Sequence, residues 1–120
     1  MIDKKTLVLD LDETLIHCNT NSNSVTDITL PVLFPSGEEI DAPINIRPHA
    51  QQFLKEMAEI FEVIVFTASH SCYANVVIDY LDPQKKYVSY RMFRETCVQS
   101  DAGVREEKLT VHKKNSFLFI

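Results

Sequence analysis

The chain has no long apolar run: nothing in its 120 residues approaches the roughly 20 consecutive apolar positions a membrane-spanning helix needs. No signal peptide is expected from the residues ahead of the first apolar segment. Basic residues do not dominate, since the formal charge is −5, and this argues against nucleic acid as the main ligand while fitting one acidic soluble domain. Paired Cys-x-x-Cys signatures are missing as well. Cys18, Cys72 and Cys97 form an odd, widely spaced set, which reads as reduced thiols in an intracellular protein. His17, His49, His70 and His112 lack metal-ligand spacing, so no zinc site is expected.

What is present starts at Thr6. Thr6 to Leu9 is a short apolar run typical of a fully buried strand, and it ends abruptly in Asp10-Leu11-Asp12. In extended backbone alternate side chains share a face, so the two acids can converge while Leu11 turns into apolar surroundings. Two such anions repel unless a cation or a proton relieves them. The pair therefore calls for a metal or for acid–base duty.

A polar stretch, Cys18 to Ser24, reads as a mobile loop leaving that strand end. Alternation then sets in, with Ile28, Leu30, Val32 and Phe34 on one face, a turn at Pro35-Ser36-Gly37, and Ile40, Ala42, Ile44 and Ile46 on one face again. The pattern predicts a β-hairpin or small three-stranded insert over residues 27–46, in which Pro31 and Pro43 mark edge strands or bulges. Pro48 opens a helix whose apolar stripe is Ala50, Phe53, Leu54, Met57, Ala58 and Phe61. Phe61 to Phe66 is a second buried strand, and it too ends in hydroxyls, Thr67 and Ser69. A second helix follows, with Cys72, Tyr73, Val76, Val77, Tyr80 and Leu81 on its inner side and Asp82-Pro83 ending it. Tyr87 to Phe93 and Ser116 to Ile120 read as further strands.

Strands and helices alternating with tight connections predict an α/β protein, a parallel sheet flanked by helices, with its site at the carboxyl ends of the strands. Asp10, Asp12, Thr67 and Ser69 all fall there. Two separate strand ends delivering polar groups to one rim is the argument for a site from residues alone. Local roles compete with it: Thr67 and Ser69 suit a helix cap, Tyr73 suits the core, Arg94 suits a surface ion pair, and Thr14 suits the turn after Asp12.

Asp10-Leu11-Asp12-Glu13-Thr14-Leu15 resembles the aspartate signature of the haloacid dehalogenase superfamily, in the form carried by the small phosphatases of the RNA polymerase II carboxy-terminal domain. Arg47-Pro48-His49, Phe66-Thr67-Ala68-Ser69 and Phe93-Arg94-Glu95-Thr96-Cys97 follow in that family's order. The resemblance implies a Rossmann-like fold with a β-insert and a magnesium-dependent phosphoprotein phosphatase working through an aspartyl-phosphate. Asp10 would be the nucleophile and Asp12 the general acid and base, with Mg²⁺ held by the Asp10 carboxylate and the Asp12 carbonyl. Thr67, the amide of Leu11 and a lysine, Lys108 in preference to Arg105, would hold the phosphate. Arg94 would lie near a bound phosphopeptide, and Tyr73, Val32 and Phe34 would wall a substrate pocket.

The implied partner is a phosphoprotein or phosphopeptide, met by a monomer in the nucleus or cytoplasm. Residues 1–120 read as a single phosphatase-like domain. Its relatives carry an acidic pair after the next apolar strand, so the third metal ligand is expected beyond Ile120, and this stretch alone is expected to bind magnesium weakly and turn over poorly. A related phosphatase with another phosphoprotein substrate and a non-catalytic binding module of the same fold are the alternatives.

Overall fold

The computed structural model describes residues 4–19, 25–94 and 117–119. Four parallel strands form the main sheet: β1 (Lys5–Leu9), β5 (Phe61–Phe66), β6 (Val88–Met92) and β7 (Phe117–Phe119), in the order β6-β5-β1-β7. β1 is therefore central, paired on one side from Lys5↔Phe61 to Leu9↔Val65 and on the other from Thr6↔Phe117 to Val8↔Phe119. A strand flanked on both sides must be apolar on both faces, and Leu7, Val8 and Leu9 are all buried. Thr6, equally buried, donates its hydroxyl to Glu62 Oε1 at 3.2 Å.

Leu7, Leu9, Val63 and Val65 share the main core with residues of both helices, α1 (Ala50–Ile60) and α2 (Ser71–Leu81), while Val8, Ile64 and Met92 form a second cluster with Phe66. The buried residues of α1 are Ala50 and Leu54. In α2 they are Ala74, Val77, Ile78 and Leu81, whereas Tyr80 is exposed. The inner stripe thus differs from the expected one: α2 is apolar on most of its surface, so its sequence permits several i, i+3, i+4 stripes, and packing selects the one with a small residue, Ala74, at the contact. Phe61 belongs to β5 and not to the α1 stripe.

The second sheet is antiparallel, β2 (Ile16–Cys18), β4 (Glu39–Ile46) and β3 (Ile28–Leu33), in the order β2-β4-β3. Its third strand is drawn from residues 16–18, ahead of the expected insert, so Cys18 is in a strand and Asn19 is buried, donating its N–H to the Pro43 carbonyl at 2.8 Å. Residues 20–24 of the expected loop lie outside the described residues. Pro31 is on the edge strand β3, as expected, but Pro43 sits in the central strand β4. An antiparallel residue points its N–H and C=O to the same neighbour. The Pro43 carbonyl faces Asn19, so the missing N–H falls where β2 has just ended, and no bond to β3 is lost. Gly37 turns the β3–β4 hairpin at φ 92, in the region that excludes most side chains. β6 is bulged: Val63 pairs with Val88 but Ile64 with Tyr90, leaving Ser89 as an extra residue that breaks the expected alternation.

Candidate active site

The chain curls directly after β1. The Leu11 carbonyl accepts the amides of Thr14, Leu15 and Ile16, Glu13 adopts a left-handed φ of 65, and the backbone returns as β2. Leu11 is fully buried, which anchors the curl and sends its two acidic neighbours the other way. Arg47 closes it from outside: its amide donates to the Leu15 carbonyl and its Nη1 to the Thr14 carbonyl at 3.0 Å. Thr14 therefore serves the turn, through its backbone.

Asp10 is exposed, and its Oδ1 accepts the Leu11 amide at 2.8 Å. The amide expected to meet a phosphate is thus held by the Asp10 carboxylate. Asp12 is half-buried, and both its oxygens are engaged: Ser69 donates its hydroxyl to Oδ2 at 2.5 Å and Tyr73 its phenol to Oδ1 at 3.0 Å. These contacts join the end of β1 to the end of β5, the two rims that carry the candidate groups.

Thr67 is buried, donates its amide to the Met92 carbonyl, and accepts the Ser69 amide on Oγ1 at 3.1 Å. Among the described residues its hydroxyl hydrogen meets no acceptor. Ser69 is not the cap of α2, contrary to expectation. His70 is, with Nδ1 accepting the Cys72 amide at 3.2 Å, because the Ser69 hydroxyl is turned to Asp12. Arg94 makes no surface ion pair among the described residues; its Nε donates to the Ala68 carbonyl at 2.9 Å and its amide to the Ser69 carbonyl, bracing the loop beneath the site. Lys108 and Arg105 lie outside the described residues.

Of the expected pocket walls, Val32 is 1% exposed and belongs to the core, so it cannot line an open cleft. Phe34 and Tyr73 are half-buried. Tyr73 has its pKa raised, chiefly by burial, then by the Asp12 charge and hydrogen bond, and then by Cys18. It remains a phenol, and hence a donor, throughout the neutral range. Sequence reasoning named Asp12, Ser69 and Tyr73 but not their link; the i, i+4 spacing of the two hydroxyls just after a strand end was its only trace.

For a metal, the donors in reach are hard oxygens: the second oxygen of Asp10 and the Asp12 carbonyl, neither of which accepts a hydrogen bond from the described residues. Magnesium commonly takes one or two carboxylates and completes its shell with water and phosphate, so this donor set fits it. Among the described residues no group of three or more His, Cys, Asp or Glu side chains could hold a metal ion.

A parallel sheet with acids at the end of its central strand, hydroxyls at the next strand end and a small antiparallel sheet between defines an α/β protein of the haloacid dehalogenase type. The chain belongs to the NLI interacting factor-like phosphatases, whose family model matches residues 5–116. It is 46% identical over 93 residues to "CTD small phosphatase-like protein 3" of Caenorhabditis elegans, a match covering 78% of this chain and 32% of that protein. It is 41% identical over 101 residues to the human "Carboxy-terminal domain RNA polymerase II polypeptide A small phosphatase 1", covering 80% of this chain and 36% of that protein. "Nuclear envelope morphology protein 1" of Schizosaccharomyces pombe is 40% identical over 103 residues, covering 85% of this chain and 22% of that protein. The chain thus spans about a third or less of the length of these relatives. Among solved structures, the fission yeast RNA polymerase II CTD phosphatase Fcp1 bound to beryllium fluoride superposes with a TM-score of 0.65 at 25% identity, over 77% of this chain and 30% of that one.

Proposed function

We propose that the chain carries the nucleophile and the acid of a magnesium-dependent phosphoprotein phosphatase that cleaves phosphoserine or phosphothreonine through an aspartyl-phosphate. The observation that carries the reading is the contrast between two acids one residue apart: Asp10 exposed at the strand mouth, Asp12 held by hydroxyls from the neighbouring strand end. An open carboxylate suits attack on phosphorus, and a carboxyl fixed in orientation suits proton transfer. Asp10 attacks, its oxygen bonds to phosphorus, and the ester oxygen leaves with the proton of Asp12. Asp12, now a carboxylate, takes a proton from the water that releases phosphate and restores Asp10. The Asp10 carboxylate and the Asp12 carbonyl are the groups that would hold Mg²⁺, which neutralises charge between the anionic nucleophile and the anionic ester. Thr67, with its hydroxyl, and Lys108 are the proposed phosphate donors, since the Leu11 amide is already given to Asp10, and Arg94 is the proposed contact for a phosphopeptide.

The relatives named for the polymerase carboxy-terminal domain support that domain as substrate, in a nuclear or cytoplasmic setting; a different phosphoprotein is the alternative, since another relative is named for nuclear envelope morphology and not for that domain. Val32 is interior, so the walls that read the peptide are fewer than the sequence suggested. The test is turnover of p-nitrophenyl phosphate and of a phosphopeptide panel by the full-length protein with Mg²⁺. Asp10→Asn abolishes turnover, and Asp12→Asn lowers it about 10²- to 10⁴-fold. Undiminished turnover by Asp10→Asn would leave the binding-module alternative.

A further inference from the structure

Both oxygens of Asp12 are taken by hydroxyls that come from one place. Ser69, two residues ahead of α2, and Tyr73, in its first turn, flank the His70 cap, so one short β5–α2 junction delivers the 2.5 Å contact to Oδ2 and the 3.0 Å contact to Oδ1. The junction is itself braced. His70 caps the helix, Thr67 Oγ1 holds the Ser69 amide, and the Arg94 amide holds the Ser69 carbonyl. Ser69 is thus fixed at its amide, its carbonyl and its hydroxyl. A carboxyl bonded at both oxygens cannot turn about its Cβ–Cγ bond, whereas Asp10 is held at one oxygen by its own neighbour.

Proton transfer falls off steeply when the donor atom is misplaced by a fraction of an ångström, so a general acid gains from a locked rotamer. We propose that Ser69 and Tyr73 are positioning residues that lock Asp12 in the orientation from which it protonates the leaving oxygen, with the braced junction between β5 and α2 as the supporting arm. The proposal rests on the phosphatase reading above.

In the acid step the Asp10 oxygen bonds to phosphorus as the phosphorus–ester bond breaks. The electron pair of that bond goes to the ester oxygen, the Asp12 proton follows it, and Asp12 is left as a carboxylate. Two hydroxyl donors stabilise that carboxylate more than the acid, so their bonds strengthen as the proton departs. A protonated carboxyl keeps acceptor lone pairs, so both hydroxyls go on donating while the Asp12 proton is left to face the leaving oxygen.

Ser69→Ala and Tyr73→Phe each delete one hydroxyl with little change of shape. In the full-length protein with Mg²⁺, kcat/KM for phenyl phosphate, whose leaving group needs the proton, falls about 10- to 100-fold in each variant. For p-nitrophenyl phosphate, whose anion leaves unaided, the fall stays under about 3-fold. Ser69→Thr restores the hydroxyl and recovers most of the loss. An equal fall for both substrates is what a merely structural role produces, and it overturns the proposal. A second readout needs no turnover: the ¹³C carboxyl resonance of Asp12, assigned by its disappearance in Asp12→Asn, shifts in both hydroxyl variants, and an unmoved resonance overturns the clamp. Undiminished turnover by Asp10→Asn sinks the phosphatase reading instead, and the resonance then decides the clamp by itself.

Discussion

Tyr73 places an undissociated phenol against a carboxylate, and the consequence is a pH dependence with a definite sign. Burial, then the Asp12 charge and hydrogen bond, then Cys18 raise its pKa above the ordinary 10.0. The unfolded chain releases that proton at lower pH than the folded one does. The contribution of Tyr73 to stability is therefore whole below about pH 10 and shrinks as the pH rises further. Urea unfolding at a series of pH values from about 9 to 11 should show a fall in stability that is shallower in Tyr73→Phe; equal slopes would remove the phenol from the account. Asp82 acts alone at its own site. It is 1% exposed and accepts the amides of Lys86, Tyr87 and Val88 at 2.9 to 3.0 Å, which turns the chain from α2 into β6. Asp82→Ala orphans buried donors and should cost about 2–4 kcal/mol by urea denaturation. The sequence showed Asp82-Pro83 as a helix stop. It did not show the three amides, because nothing in the residue types tells which of them turn inward.

At the scale of elements, α1 is anchored most deeply by Leu54, with Ala50 buried beside it and Phe53, Met57 and Ala58 packed around. Leu54 is fully buried and sits with Ala50 on the face that meets the main core, so Leu54→Ala should destabilise the fold by about 2–5 kcal/mol. A smaller loss in thermal or urea unfolding would mean that α1 contributes less than its burial implies. The strands and helices were legible because each carries its own periodicity: a buried apolar run for β1 and β5, alternation for β3 and β4, a helical stripe for α1. Legibility ended where a short-range rule met a neighbour. Pro43 in a central strand violates the edge rule only until β2 is seen to stop at Cys18. The α2 stripe was misplaced because a helix apolar on most sides gives no unique phase, and the Ser89 bulge is invisible in a pattern that assumes regular pairing.

At the scale of the whole molecule, β1 brings the acids to the middle of the sheet and β5 brings the hydroxyls beside them. A metal bound there links the site to global stability. In the full-length protein, Mg²⁺ at about 100 times its Kd should add about 2.7 kcal/mol, seen as a rise in the thermal midpoint that EDTA reverses and that Asp10→Asn abolishes. A rise of the same size in Asp10→Asn would remove Asp10 as a ligand.

The sequence by itself determined the strands and helices other than β2, that two strand ends carry polar groups, and that Asp10 and Asp12 leave β1 around a buried Leu11. Those features depend on neighbours in the chain. Only the tertiary structure decided that Ser69 serves Asp12 and leaves the cap to His70, that Tyr73 donates to Asp12, and that Val32 is core. The partners of Asp12 lie 57 and 61 residues away. A hydroxyl beside a helix start can bond to its own backbone or to a distant carboxylate, and packing places the carboxylate within reach.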